Sequence, residues 1–442
     1  MGAITAGQGL ILFLMGPSAI RRAVSRDVDN GMMISHRLTP MGNWKIVMGY
    51  LTGPIVQMLI LYSLGLVLGL GLSAGLAAIE GSAIKLQVWL AAQVAGLCLA
   101  FLLTTSMLLV ALATGGKNTA LTIIIVITAI FGAQALQYVP GMGLLLGVIG
   151  AINLLGLIPG MGSSVPGSAA VPAIGCAVQL VIGSIFFAAC CRKIRRPERA
   201  TFSVGLALAL TAVTSLAMVG GMMSAGALTR ALGAGFEPGA QMIWSTSVQL
   251  LITMLLLNAG ADLAVTMDRK SRFGAHAGAT LWWTYPLLAA MISFLTYVGI
   301  GAVMTRTAPG ALLTLSAVTV GYSLVCAAIT DYSLFYWAIA RGKPVLTIGV
   351  AIVVGLRVGP MLLDGLLLGM FALLGDLSDS GPPFMFSSLS PIGVMWMAGE
   401  PESGALVVGL IAQALIAFVA WRIMSGTRRA IATPPAPAAV AA

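Results

Sequence analysis

The side chains in this chain that could do chemistry are the few charged and amide groups lying inside long apolar runs. Arg357 and Asp364 stand seven positions apart in the run 345–374. On a helix they share a face and sit about 10 Å apart along its axis, too far for a direct pair. Gly359-Pro360 between them breaks the helix, which brings them closer or lets both line a cavity. Asp262 lies near the end of another run, with Arg269 about two turns beyond. A charge within a membrane span costs at least about 2.5–3.5 kcal/mol, so such residues either form an internal structural pair or exchange a proton or ion. Amides are frequent in the same runs. Gln57, Gln134 and Gln137 are candidates for lining a translocation path, and the others read as interhelical hydrogen bonds.

Other chemistries find no footing. The acids Asp376, Asp379, Glu400 and Glu402 have neither base nor nucleophile beside them, and His36 and His276 are isolated in basic loops. The five cysteines lack metal-ligand spacing. The stretch Ala111-Leu-Ala-Thr-Gly-Gly-Lys117-Asn118 lacks the first glycine and the final hydroxyl of a phosphate-binding loop. The sequence therefore predicts no catalytic residue, no metal site and no enzyme activity in this chain.

The elements that must position these groups are membrane helices. Only 8% of residues are charged and 59% are hydrophobic, with a mean hydropathy of +1.02, a balance foreign to soluble proteins. Runs at 44–75, 88–113, 119–139, 171–191, 202–228, 241–264, 281–304, 311–328, 345–374 and 405–423 approach or exceed the roughly 20 residues that cross a bilayer. The net charge of +10 fits arginines and lysines held against anionic lipid rather than nucleic acid. Every basic residue except Lys85, Arg230, Arg306 and Arg357 can be placed on the cytoplasmic side. The acidic stretch 375–404 then lies outside, the N-terminus outside and the C-terminus in the cytoplasm.

Lys117 and Arg192 both fall inside, so an even number of crossings must join them. The short run 142–157, bracketed by Pro140-Gly141 and Pro159-Gly160, reads as part of a re-entrant hairpin over 141–169 that dips from the outer face. The expectation is an all-α polytopic integral membrane protein with about eleven transmembrane helices in two similar halves. Residues 1–200 hold five spans, the first being the 17-residue run 4–20, plus the hairpin, residues 201–430 hold six, and the proline- and alanine-rich 431–442 form a disordered tail. Residues 1–20 lack a charged n-region and a cleavage signature, so no signal peptide is expected.

The most informative polar segment is 21–54, RRAVSRDVDNGMMISHRLTPMGNWKIVMGYLTGP. It is charged at its front and broken by Thr39-Pro40 before a new run begins at Trp44. Read alone, it is an interfacial amphipathic anchor. Its order of residues also resembles the cytoplasmic coupling segment of type-2 exporter permeases of the ATP-binding-cassette class. Arg26, Asp27, Asp29, Gly31, Leu38, Thr39, Pro40, Lys45 and Gly49 stand at the places of that pattern, and Arg37 lies within it. The chain departs from the family in having aspartates for glutamates, Met32-Met33-Ile34-Ser35-His36 for a leucine-rich stretch, and no first span. The resemblance covers about residues 4–200. It implies a transmembrane permease subunit of an ATP-driven exporter in the cell membrane. Two copies of a separate ATPase would supply ATP and magnesium chemistry and dock on 21–45. The other reading is an ion-coupled secondary transporter using Arg357, Asp364 and Asp262.

Overall fold

The computed structural model of this chain describes residues 2–80, 84–114, 170–232, 238–271, 283–304, 311–373, 386–397 and 404–432. Among them every regular element is helical, and eight helices are long and apolar enough to cross a membrane. The expected span at 119–139 and hairpin at 141–169, with Gln134 and Gln137, lie outside the described residues. By contacts the chain forms two compact units, Met1–Phe202 with Ala212–Phe236, and Ser203–Thr211 with Glu237–Ala442.

The first unit opens with helix α1 (Gly2–Leu10), a π-helical turn at Ile11–Met15, and α2 (Gly16–Asp29). Pro17 explains the wide turn. In α register its ring would crowd the carbonyl four residues back, and the extra residue of a π turn relieves that. The Gly16 N–H accordingly reaches back to the Ile11 carbonyl. Helix α2 ends at Gly31, whose φ of 71° suits glycine alone. Helix α3 (Met32–Leu38) follows and stops where Thr39, ahead of Pro40, is held extended at ψ 146°.

Helix α4 (Asn43–Thr52) is separate from α5 (Val56–Glu80), because Gly53-Pro54 interrupts what hydropathy reads as one run from Trp44. Helices α6 (Ile84–Thr114) and α7 (Ala170–Arg195) pack along each other, with α2 and α4 against α6 and α4 against α7. Beyond α7, Lys193 Nζ donates to the carbonyls of Pro197 (2.8 Å) and Arg199 (3.0 Å). That is the expected use of a cation at a helix C-terminus.

Helix α8 (Val204–Leu232) begins with residues grouped in the second unit and continues with residues of the first. The second unit is built on α9 (Pro238–Ser271), α10 (Thr284–Met304), α11 (Ala311–Ala340) and, at its end, α15 (Gly404–Ala432). Between α11 and α15 come α12 (Val345–Ile352), a second π turn at Val353–Val358, and α13 (Gly359–Leu373). A 3-10 turn (Ser387–Leu389) and the short α14 (Pro391–Met397) complete it. The second π turn repeats the local grammar of the first, for Gly359-Pro360 follows it as Gly16-Pro17 follows the other, and the Gly359 N–H bonds the Val354 carbonyl five residues back.

The outer faces are apolar, as lipid requires, while the interior mixes apolar clusters with hydroxyls. Val394, Met395 and Met397 of α14 pack into a cluster with Leu250, Tyr297, Val320, Leu324 and Leu406. The buried threonines Thr253 and Thr330 return their hydroxyls to the carbonyls of Leu250 and Cys326 in their own helices.

Candidate functional site

Two polar constructions stand out, one in each unit. In the first, the helical elbow α2–α3–α4 is closed by Asp27. Tyr50 of α4 donates its hydroxyl to Asp27 Oδ2 at 2.6 Å. His36 Nε2 of α3 lies 3.8 Å from the same oxygen, and the His36 and Tyr50 rings meet edge to face at 6.1 Å. One aspartate on α2 thus gathers all three helices. Burial, then the hydrogen bond to Asp27 and its charge, raise the Tyr50 hydroxyl pKa well above the ordinary 10.0.

The elbow also carries exposed apolar side chains. Met32, Ile34, Leu38, Met41 and Trp44 are exposed by 49%, 61%, 81%, 48% and 57%. Arg26, Asp29, Gly31, Thr39, Pro40 and Lys45 are also exposed, and Arg37 lies in α3. Beside the break, Thr39, Pro40, Met41, Gly42 and Asn43 line a cleft of about 370 Å³ with Ile194 and Arg195 of α7.

In the second unit Arg357 sits in the π turn and is only 3% exposed. Its Nη2 donates to Asp331 Oδ1 at 2.5 Å and to the Ala327 carbonyl at 3.3 Å, both on α11. Asp331 is fully buried. Among the described residues its Oδ2 and the Arg357 Nε have no hydrogen-bond partner. Asp364 is thus not the partner of Arg357. It accepts the backbone N–H groups of Phe386 (3.0 Å) and Ser387 (2.6 Å), capping the start of the 3-10 turn. The same segment is tied twice more. Ser390 Oγ donates to the Arg357 carbonyl at 2.7 Å. Gln413 of α15 donates to the Ser388 carbonyl at 2.8 Å and accepts from Ser323 at 2.5 Å.

Of the remaining sequence candidates, Gln57 is exposed near the start of α5 and Asp262 is half-buried in α9. Asp331 is the functional candidate that hydropathy missed. A second missed group is Asp268 on α9, whose carboxylate accepts from Tyr336 (2.7 Å) on α11 and takes a two-pronged contact from Arg428 (3.0 and 3.2 Å) on α15. Arg269 adds a bond to the Ala340 carbonyl at 3.2 Å, so the ends of α9, α11 and α15 are tied together.

Comparison with protein-family models, curated proteins and solved structures gives no match to this chain. The functional reading therefore rests on these two constructions. Among the described residues no three histidine, cysteine or acidic side chains converge as a metal site. Helix α4 packs on both α6 and α7, and α2 packs on α3, α4 and α6, so the elbow is joined to two of the long apolar helices.

Proposed function

We propose that this chain is the permease subunit of an ATP-driven exporter in the cell membrane, and that the elbow over 21–45 is where a separate ATPase docks. The observation that supports it is the set of exposed apolar side chains along the elbow, Met32, Ile34, Leu38, Met41 and Trp44, with the exposed charges Arg26, Asp29 and Lys45 in the same segment. Exposed apolar side chains interspersed with charges are the composition of a protein-docking patch. ATP and magnesium belong to the separate subunit in two copies, and its two states bias the elbow differently. About eleven spans in two similar halves, with the N-terminus outside and the re-entrant hairpin over 141–169, complete the proposed topology.

The test must spare Asp27, because its loss would also open the elbow. Ile34→Glu with Leu38→Glu should abolish co-purification of the ATPase while the permease stays in the membrane. Retained co-purification of the double variant would falsify the docking role. A second reading, ion-coupled transport without ATPase, is favoured by the buried Asp331–Arg357 pair, which among the described residues leaves an unpartnered atom on each side. In that reading Asp331 carries the coupling ion in place of Asp364, whose two oxygens are engaged by amides. Transport by reconstituted protein under an ion gradient, without ATP or partner, would select it.

A further inference from the structure

The π turn in the second unit is held by polar contacts on one side and by apolar packing on the other, where Ile352 is buried and Gly349 lies against Phe335. On its α13 side three polar contacts fix the backbone: Arg357 to Asp331, the Arg357 carbonyl to Ser390, and Asp364 to the Phe386 and Ser387 amides. On its other side α12 is Val345-Leu-Thr-Ile-Gly-Val-Ala-Ile352, with Thr347 its lone polar side chain and Leu346 and Val350 turned outward. Helix α12 starts directly from a tight corner, Arg341-Gly342-Lys343-Pro344. There Gly342 has φ +66° and the Lys343 N–H bonds the Ala338 carbonyl. The Arg269 contact to Ala340 closes on the same corner.

We propose that Val353–Val358 is a register switch: α12 turns about its own axis as the π turn forms and resolves, coupling the Arg341–Lys343 corner to the buried Arg357–Asp331 pair. A π turn holds one residue more than the α-helical turn it replaces, so resolving it rotates one flank by about 100° relative to the other. With α13 pinned, α12 is the flank that moves. The sequence poises the two registers. Pro360 disfavours the α form, because its ring crowds the Leu356 carbonyl. Gly359 permits the π form, since a Cβ there would lie 2.5 Å from the Val354 carbonyl. The proposal holds whichever energy source drives transport, and its test uses neither ATP nor substrate.

Spin labels placed at Val350 or at Ala351, each paired with one at Val407 on α15, report the rotation in full-length protein lacking its native cysteines and reconstituted in lipid. The two α12 positions are a residue apart, so rotation cannot leave both distances unchanged. Gly359→Ala and Pro360→Ala favour the α register by independent routes, one by adding an atom and the other by removing the ring. Each should move the dominant distance of at least one pair by up to about 8 Å, the chord of a 100° turn at the radius of a helix with its side chains. Deleting Gly355 removes the extra residue while both flanks keep their faces, and should leave both distances at the wild-type values. Wild-type distances in both Gly359→Ala and Pro360→Ala, or shifted distances on deleting Gly355, overturn the switch. If Gly359→Ala fails to insert, Pro360→Ala, which restores an ordinary helix former, decides alone.

Discussion

Removing one member of the Arg357–Asp331 pair should cost far more than removing both. Asp331 is fully buried and Arg357 is 3% exposed, so neither charge can recruit solvent when its partner is lost. Arg357→Leu leaves the Asp331 carboxylate without its 2.5 Å donor, and Asp331→Leu leaves a guanidinium whose remaining bond among the described residues is to the Ala327 carbonyl at 3.3 Å. Breaking a buried pair on one side costs about 3–5 kcal/mol, in line with about 2.5–3.5 kcal/mol for a lone charge in a span. The double change to leucines removes both desolvated charges and adds apolar volume, so its cost should fall to about 1 kcal/mol or less. The coupling from a double-mutant cycle is then about 5 kcal/mol or more. Reversible unfolding of the lipid-reconstituted protein measures all four corners. The companion cycle, Arg357 with Asp364, should be additive within about 0.5 kcal/mol, because Asp364 serves amides instead. Additivity in the Arg357–Asp331 cycle, or strong coupling in the Arg357–Asp364 cycle, refutes the assignment.

Three further substitutions test local geometry. Tyr50→Phe should cost about 1.5–3 kcal/mol, the range for a hydrogen bond to a charged group, and expose 30–43 to limited proteolysis. Because the folded-state pKa of Tyr50 is raised, its contribution is complete below the unfolded value near 10.0 and is lost only as pH climbs beyond it. The proteolysis of wild type should thus be flat through neutral pH and rise in strong alkali, while that of Tyr50→Phe starts high. Gly409→Ala should destabilise by about 1–3 kcal/mol, because its methyl would collide with the backbone and side chain of Ser388. Gly75→Ala on α5 meets nothing within 4 Å and should be neutral or stabilising by up to about 1 kcal/mol, as thermal unfolding of each variant will show.

Helical class and the strongest breaks were legible because they depend on local chemistry. Apolar length marks spans, and Gly31 and Thr39-Pro40 mark the elbow's corners without reference to any neighbour. Gly53-Pro54 carried the same kind of signal, yet hydropathy averaged over it and ran Trp44 into α5. Asp331 escapes because the apolar run ends at Ala328. The window is diluted by Thr330, Asp331 and Ser333, although Tyr332, Phe335 and Tyr336 continue the helical spacing to Ala340. The partnership of Arg357 was illegible for a different reason. It joins residues on two helices, and spacing along one run naturally pointed to Asp364. Nor does hydropathy give any sign that Asp27 closes the elbow, since only tertiary contact brings Tyr50 and His36 to it.

The Arg357–Asp331 pair also sets a demand on biogenesis. Asp331 is made first, and its partner follows 26 residues later. At a synthesis rate of about 5–20 residues per second, the carboxylate waits about 1–5 s before a guanidinium exists to meet it. A helix bearing a lone acid is a poor substrate for lateral release into lipid. Helix α11 and the segment running from α12 through the π turn that carries Arg357 should therefore leave the insertion machinery together as a hairpin, so that the carboxylate meets its guanidinium before either is released into lipid.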